Sequence, residues 1–341
     1  MTVLVTGAAG FIGRAVCERL LARGESVLGL DNFNDYYDPA LKVARIATLK
    51  PYPSFEIVEG DIADAALVAS LVARAGCRRV VHLAAQAGVR YSIEHPFAYE
   101  RSNLAGHLAI LEACRHATDF EHLVYASSSS VYGHRPLDTA FREDDPVDAL
   151  VSLYAATKRA GELMSTAYAS LYGIPQSGLR FFTVYGPWGR PDMAYFSFTE
   201  KILAGLPIEV YGEGKMARDF TYIDDIVDGV VGALDHPPPR GANRILNIGD
   251  NRPVGLLDMI EMLERALGRE ATKIMRPMQP GDVRCTYANI DKLAALTGYA
   301  PNIDLEEGLK RFVAWRLAYD GAGSAQARTD KHRVTVPAKK T

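Results

Sequence analysis

TVLVTGAAGFIGRAVCERLLARGESVLGLDN, residues 2–32, decides the fold of this 341-residue chain. A β-branched run, Thr2–Thr6, leads directly into Gly7, Gly10 and Gly13, spaced G-x-x-G-x-x-G. From Phe11 to Ala22 the apolar residues recur at helical spacing, and Ser26–Leu30 is again a short apolar run. Strand, glycine turn, helix and strand make one βαβ unit with parallel strands. Gly7 permits a tight turn, Gly10 lets the backbone approach a pyrophosphate, and Gly13 lets helix and strand pack closely. The helix N-terminus, with Phe11 and Ile12, aims free N–H groups at the same place. Asp31 ends the second strand near the roughly 20-residue offset at which an acidic side chain meets a ribose diol and repels a 2′-phosphate. With Asn32 beside it, Asp31 points to NAD rather than NADP. A cap on the turn at Asn32 is the plainer use of Asp31, and both readings stay open.

The same alternation continues outward. Runs at Phe55–Glu59, Arg79–Leu83, Leu123–Ser127 and Gln176–Arg180 read as strands, and Pro39–Leu49, Ala65–Ala75, Pro96–Arg115 and Ser152–Tyr172 as helices. That predicts an α/β fold, a doubly wound parallel sheet of the Rossmann type, over residues 1–180. After Phe181 the helices shorten, as at Tyr222–Leu234 and Leu256–Leu267, between turns such as Gly212–Gly214 and Pro237–Pro239. Residues 181–320 read as a smaller C-terminal α/β lobe, with later segments returning to the first domain. The polar stretch 321–341 has no periodicity and is expected to be a mobile tail.

With 48% apolar and 23% charged residues the chain is globular, and a formal net charge of −3 gives no basic excess for nucleic acid or an anionic membrane. No apolar run approaches the roughly 20 residues of a membrane helix, and the N-terminus opens into a strand without signal-peptide features. A cytoplasmic location and small-molecule partners are the expectation. Cys17, Cys77, Cys114 and Cys285 are scattered, with no metal-ligand spacing, so free thiols and no metal site are expected.

Tyr154 and Lys158 stand four residues apart in YAATK, which on a helix puts both on one face. A phenol is a poor base at neutral pH, but an ammonium and a cationic cofactor beside it favour the phenolate. Tyr154 could then exchange a proton with a substrate hydroxyl while a nicotinamide takes a hydride. The run Ser127–Ser130 falls at a strand's carboxyl end, where sites of parallel sheets lie, and Ser128 could share a hydrogen bond with Tyr154 and the reacting hydroxyl.

Together TGAAGFIG (6–13), HLAAQAGVRYSIEHP (82–96), YASSSSVYG (125–133), YAATK (154–158), RFFTVYGPWGRPDMA (180–194) and RDFTYIDDI (218–226) resemble the extended short-chain dehydrogenase/reductase family, and within it the UDP-glucuronate 4-epimerases. The likeness runs from about Thr2 to Arg316. It implies that NAD stays bound through turnover, takes hydride from carbon 4 of the sugar, and returns it to the other face after the 4-keto sugar rotates. It also implies that Tyr154 is the acid/base, Lys158 a ligand of the nicotinamide ribose, and Ser128 the hydroxyl partner. Asp61 and Ile62 would lie near the adenine, Ala84 beside the cofactor, and Arg218 and Asp282 against the nucleotide's diphosphate and ribose. Asn103 matches a position that supports the active-site helix, with a buried structural amide as its plainer role. The helices Pro96–Arg115 and Ser152–Tyr172 resemble those of the family's dimer bundle, so a homodimer is expected.

Related dehydratases and decarboxylases usually carry Glu, or Asp-Glu, before VYG, where this chain has Ser129 and Ser130. Serine cannot serve as the acid or base that would divert the 4-keto intermediate, so hydride return is its expected fate. A 4-keto glucuronate is a β-keto acid that must be kept from losing carbon dioxide. Arg190 is the expected bidentate ligand of its carboxylate, helped by Thr183, Ser129 and Ser130, with Arg90 as second candidate. Alternatives are a UDP-glucose or UDP-N-acetylglucosamine 4-epimerase, a UDP-glucuronate decarboxylase, and a non-catalytic dinucleotide-binding sensor.

Overall fold

The computed structural model describes residues 2–133, 139–278 and 283–333. The first half comprises β1 (Thr2–Thr6), α1 (Phe11–Ala22), β2 (Ser26–Asp31), α2 (Pro39–Ala47), β3 (Phe55–Glu59), α3 (Ala65–Ala75), β4 (Arg79–His82), α4 (Tyr91–Glu94), α5 (Pro96–Tyr99), α6 (Gly106–His116), β5 (His122–Ser128), α7 (Leu153–Tyr172) and β6 (Gln176–Phe181). The second comprises β7 (Thr183–Tyr185), α8 (Ala194–Leu203), β8 (Ile208–Val210), β9 (Ala217–Tyr222), α9 (Ile223–Asp235), β10 (Asn243–Ile248), β11 (Pro253–Gly255), α10 (Leu256–Leu267), β12 (Lys273–Met275), β13 (Cys285–Thr286), α11 (Asp291–Thr297) and α12 (Leu305–Arg333).

The main sheet runs β10-β6-β5-β4-β1-β2-β3, every pair parallel. Its central strands are buried on both faces, which is why their sequences are continuous apolar runs. The chain leaves β1 toward β2 and β3, then crosses back to β4 on β1's other side. Beyond the carboxyl ends of β1 and β4, where the winding reverses, the fold therefore opens a crevice. β10, from the second half, is the seventh strand, so the chain does return to the first sheet. The remainder builds a sheet ordered β11-β9-β13 with β7 also on β9, and a β8–β12 pair.

Two elements depart from expectation. The helix expected over Pro96–Arg115 is α5, then a π-helical turn at Glu100–Ala105, then α6. The wider turn directs Asn103 inward, where its amide pairs with Gln86 and Thr157. Further on, α12 extends through Arg333, so much of the stretch expected to lack periodic structure continues a helix. Residues 334–341 lie outside the described residues.

Candidate active site

A cleft of about 870 Å³ opens over the carboxyl ends of the main strands, toward the upper end of small-molecule sites. Its floor is the glycine turn. Gly7 has φ +69°, and a Cβ there would stand 2.8 Å from the Ala84 nitrogen. A Cβ on Gly13 would run into the Gly7 carbonyl. Gly7 N–H donates to Leu30 O at 2.8 Å, tying the turn to β2. Helix α1 begins beyond Gly10 with no side-chain cap and no acidic residue in its first turn, so its N–H dipoles face the cleft unopposed. Gly10, Phe11, Ile12, Asn32, Ile62 and Ala84 all line the cleft. This bare cradle fits a pyrophosphate, and the rim beside it fits a ribose.

Asp31 is placed where both readings left open above can hold. One carboxylate oxygen accepts from Ala9 N at 3.0 Å and the other from Phe33 N at 2.9 Å, so it caps the turn while lining the cleft. Each oxygen keeps a lone pair for a ribose hydroxyl. Asp61 is placed differently. It accepts from Arg101 Nε and Ala63 N, each at 2.8 Å, and does not line the cleft, although Ile62 does.

Opposite the glycine turn, α7 presents Tyr154, Lys158 and Glu162 along one face. Ser152 caps the helix by accepting from Ala155 N at 3.1 Å. Lys158 donates to Ala126 O at 3.0 Å, and burial pushes its ammonium down to about 8. Glu162, 1% exposed, ties α7 to the strands: Arg180 Nε and Nη2 reach its oxygens at 2.8 and 2.9 Å, and Ser127 Oγ donates to it at 2.6 Å. Tyr99 packs edge-on to Tyr154 with ring centroids 6.0 Å apart.

At the end of β5 the Ser128 hydroxyl accepts from Ser130 N at 3.2 Å and Ser130 Oγ at 2.9 Å. Its own proton is left to donate, and Ser129 and Ser130 line the cleft beside it. The Tyr154 phenol is raised above the ordinary tyrosine value by burial, with the Ser128 hydrogen bond and then the Arg190 charge pulling it back. Within the protein, these two groups, Ser128 first, are the ones that favour the phenolate.

Thr183, at the start of β7, and Arg190 also line the cleft. Arg190 is not a free fork: Nε and Nη2 grip Asp192 at 3.0 and 2.6 Å, and Tyr36 OH donates to the same carboxylate at 3.1 Å. The two-point grip on a substrate carboxylate expected of that edge goes to Asp192 instead. Arg90 lines the cleft with its guanidinium over Tyr211, 5.2 Å from the ring centre. Arg218, on β9, lines it while donating to Ala217 O at 2.8 Å. Asp282 lies outside the described residues.

Asp192, Tyr36 and Lys42 also line the cleft and were not singled out from sequence. Lys42 donates to Asn34 O and Oδ1 at 2.8 and 2.7 Å. Only the P-D-M step after Arg190 hinted at Asp192.

The model of the NAD dependent epimerase/dehydratase family matches residues 3–249. UDP-glucuronate 4-epimerase 3 of Arabidopsis thaliana is 51% identical over 342 residues, covering 96% of this chain and 79% of that protein. A probable UDP-glucuronate 4-epimerase of Rhizobium meliloti (strain 1021) is 46% identical over 332 residues, covering 92% of this chain and 96% of that one. The UDP-glucuronic acid 4-epimerase from Bacillus cereus, in complex with UDP-glucuronic acid and NAD, superposes with a TM-score of 0.86 at 36% identity, covering 92% of this chain and 98% of that one. Likeness of that extent, in sequence and in fold, means that the chain belongs to the NAD dependent epimerase/dehydratase family.

Proposed function

We propose that this chain is a UDP-glucuronate 4-epimerase, interconverting UDP-glucuronate and UDP-galacturonate by transient oxidation at carbon 4, rotation of the 4-keto sugar and return of the hydride to its other face. The observation that carries the reading is the pairing of a complete Tyr154–Lys158–Ser128 set with a β5 end that holds serines where an eliminating enzyme would need an acid. The carboxylate nearest the sugar end, Asp192, is gripped by Arg190 and held below the ordinary aspartate range by that charge, although burial opposes it. It is thus poorly placed to remove a carbon-bound proton.

Gly7, Gly10, Gly13, Asp31, Ala84 and Lys158 would hold the dinucleotide. Bound NAD supplies the hydride acceptor and, in its cationic form, a further positive charge beside the phenol. The protein's own part is proton traffic and positioning. Tyr154 Oη takes the proton from the carbon-4 hydroxyl and gives it back after rotation, while the Ser128 proton donates to whichever oxygen carries the charge. Lys158, with its ammonium at about 8, is mostly protonated at neutral pH and would donate to the nicotinamide ribose. Ser129, Ser130 and Thr183 offer hydroxyls to the substrate carboxylate. Arg190 offers its charge and Nη1, since Asp192 takes Nε and one Nη2 donor. Holding the carboxylate near the plane of the keto group denies the breaking C–C bond its orbital overlap. Arg218, with Asp282, would receive the nucleotide. In this reading residues 1–180 hold the cofactor and 181–320 the nucleotide sugar.

The working unit in this proposal is a cytoplasmic homodimer. Support comes from α4 to α7, which leave Phe97 83% exposed together with Ile93, Leu108, Leu163 and Leu171. No helix among the described residues is long and apolar enough to cross a membrane. Incubation with UDP-glucuronate and UDP-glucose tests the substrate: UDP-galacturonate should form at the higher kcat/KM, and a preference for UDP-glucose would overturn the assignment.

A further inference from the structure

Arg45, on α2, is fully buried, yet no carboxylate among the described residues pairs with it. Its N–H groups go instead to the glycine turn, to Tyr37 just before α2, and to a loop 143 and 144 residues further on. Nη1 donates to Ala9 O in the glycine turn at 3.1 Å and to Tyr37 OH at 2.6 Å. Nε and Nη2 both reach Trp188 O, at 3.0 and 2.7 Å, and Nη2 also reaches Gly189 O at 2.9 Å. A buried guanidinium answered by carbonyl dipoles and one phenol hydroxyl, with no carboxylate, is costly, so the geometry it imposes is what such a residue contributes.

The segment it grips is strained. Trp188 has φ +64°, left-handed for a bulky residue, and Gly186 has φ +139°. A Cβ on Gly189 would collide with the Tyr195 hydroxyl. Such a turn persists only where its surroundings over-determine it, and the next residue along is Arg190. We infer that Arg45 is a positioning residue: it clamps the Trp188–Gly189 turn to the dinucleotide loop and thereby sets where Arg190 meets the substrate's acid group. The inference rests on the proposed role of Arg190. A lysine keeps the charge but cannot fork onto both carbonyls.

The test compares the full-length, NAD-loaded parent with Arg45→Lys, Arg190→Ala and the double variant. KM and kcat for UDP-glucuronate, the fraction of decarboxylated product, retained NAD, UDP affinity by calorimetry and melting temperature are read for each. Arg45→Lys should keep its NAD and UDP affinity, raise KM about tenfold, the loss of one charge-assisted hydrogen bond, and release 4-keto-pentose product. Added to Arg190→Ala, it should change neither KM nor product ratio further, as expected when one residue acts through the other. Full additivity in the double variant, parent-like behaviour of Arg45→Lys, or losses that track NAD content and melting temperature would each overturn the inference. Should Arg45→Lys not fold, Tyr37→Phe removes one Arg45 acceptor and should move KM and product ratio the same way by less. No change there would also overturn it. A parent-like Arg190→Ala sinks the Arg190 role itself, whereas an altered Arg190→Ala with an additive double variant sinks only that of Arg45.

Discussion

Burial raises the Tyr154 phenol above its ordinary value, and the Ser128 hydrogen bond is the first of the groups that pull it back. Tyr154→Phe should cost on the order of 10²- to 10⁴-fold in kcat with NAD still retained, checked by initial rates and by nucleotide released on denaturation. Ser128→Ala removes a donor to the phenolate, so the phenol rises further and the acid limb of the kcat/KM profile should move to higher pH. A profile that stays in place would remove Ser128 from the proton path. Arg190→Ala should weaken UDP-glucuronate by about 1.5–3 kcal/mol, the worth of hydrogen bonds to a charged group, and leave UDP-glucose untouched. Calorimetry with both sugars decides it. That Tyr154 and Lys158 share one helix face was legible because a four-residue spacing carries it, and Ser128 was read from its place at a strand's carboxyl end. Asp192 was not legible, because its place on the cleft is fixed by Arg190 together with Tyr36, which is 156 positions away in sequence. The Arg101 partner of Asp61 was not legible either, because which way that carboxylate turns depends on a tertiary contact.

Helices and strands of the first half could be read from period and punctuation, since apolar runs bounded by glycine or a cap report burial directly. Ser152 and Gly173 mark the ends of α7 in this way, Gly173 adopting the left-handed φ of +71°. The π-helical turn at Glu100–Ala105 had no such mark, for its cause is the Asn103 amide bridging Gln86 to Thr157. Two element-scale outcomes follow. Gly13→Ala puts a methyl group against the Gly7 carbonyl, so the purified variant should lose NAD, seen as a fall in bound nucleotide, while the C-terminal lobe keeps its strand signal. Glu162→Ala strands the buried Arg180 charge between α7 and β6 and should cost about 3–5 kcal/mol in denaturant unfolding. A loss under about 1 kcal/mol, the worth of an exposed pair, would show that α7 is not held by that ion pair.

Across the whole molecule, three buried histidines tie neighbouring elements together, two of them strand to strand and one helix to helix. His82 bonds Thr6 Oγ1 at 2.7 Å, His107 bonds Ser165 Oγ at 2.9 Å, and His122 bonds Ser177 Oγ at 2.9 Å. Burial, the largest cause in each, depresses them: His107 to about 3, His122 to about 4 and His82 well below its ordinary value. The unfolded chain therefore takes up protons near pH 6.5 that the folded one refuses. Their contribution to stability is complete above pH 6.5 and is lost as pH falls from there toward 4, by ~1.4 kcal/mol per pH unit for each histidine. Melting temperature should drop steeply between pH 6.5 and 4.5, and His122→Asn should flatten that slope.

The borrowing and return of one hydride at carbon 4 is the claim on which all of these roles depend. The direct measurement is turnover of UDP-glucuronate carrying deuterium at carbon 4, with the product identified by NMR and free NADH followed by absorbance. The account predicts UDP-galacturonate that keeps its deuterium at carbon 4, with no NADH accumulating. Accumulation of NADH in step with substrate loss, or a pentose as the main product, would contradict it.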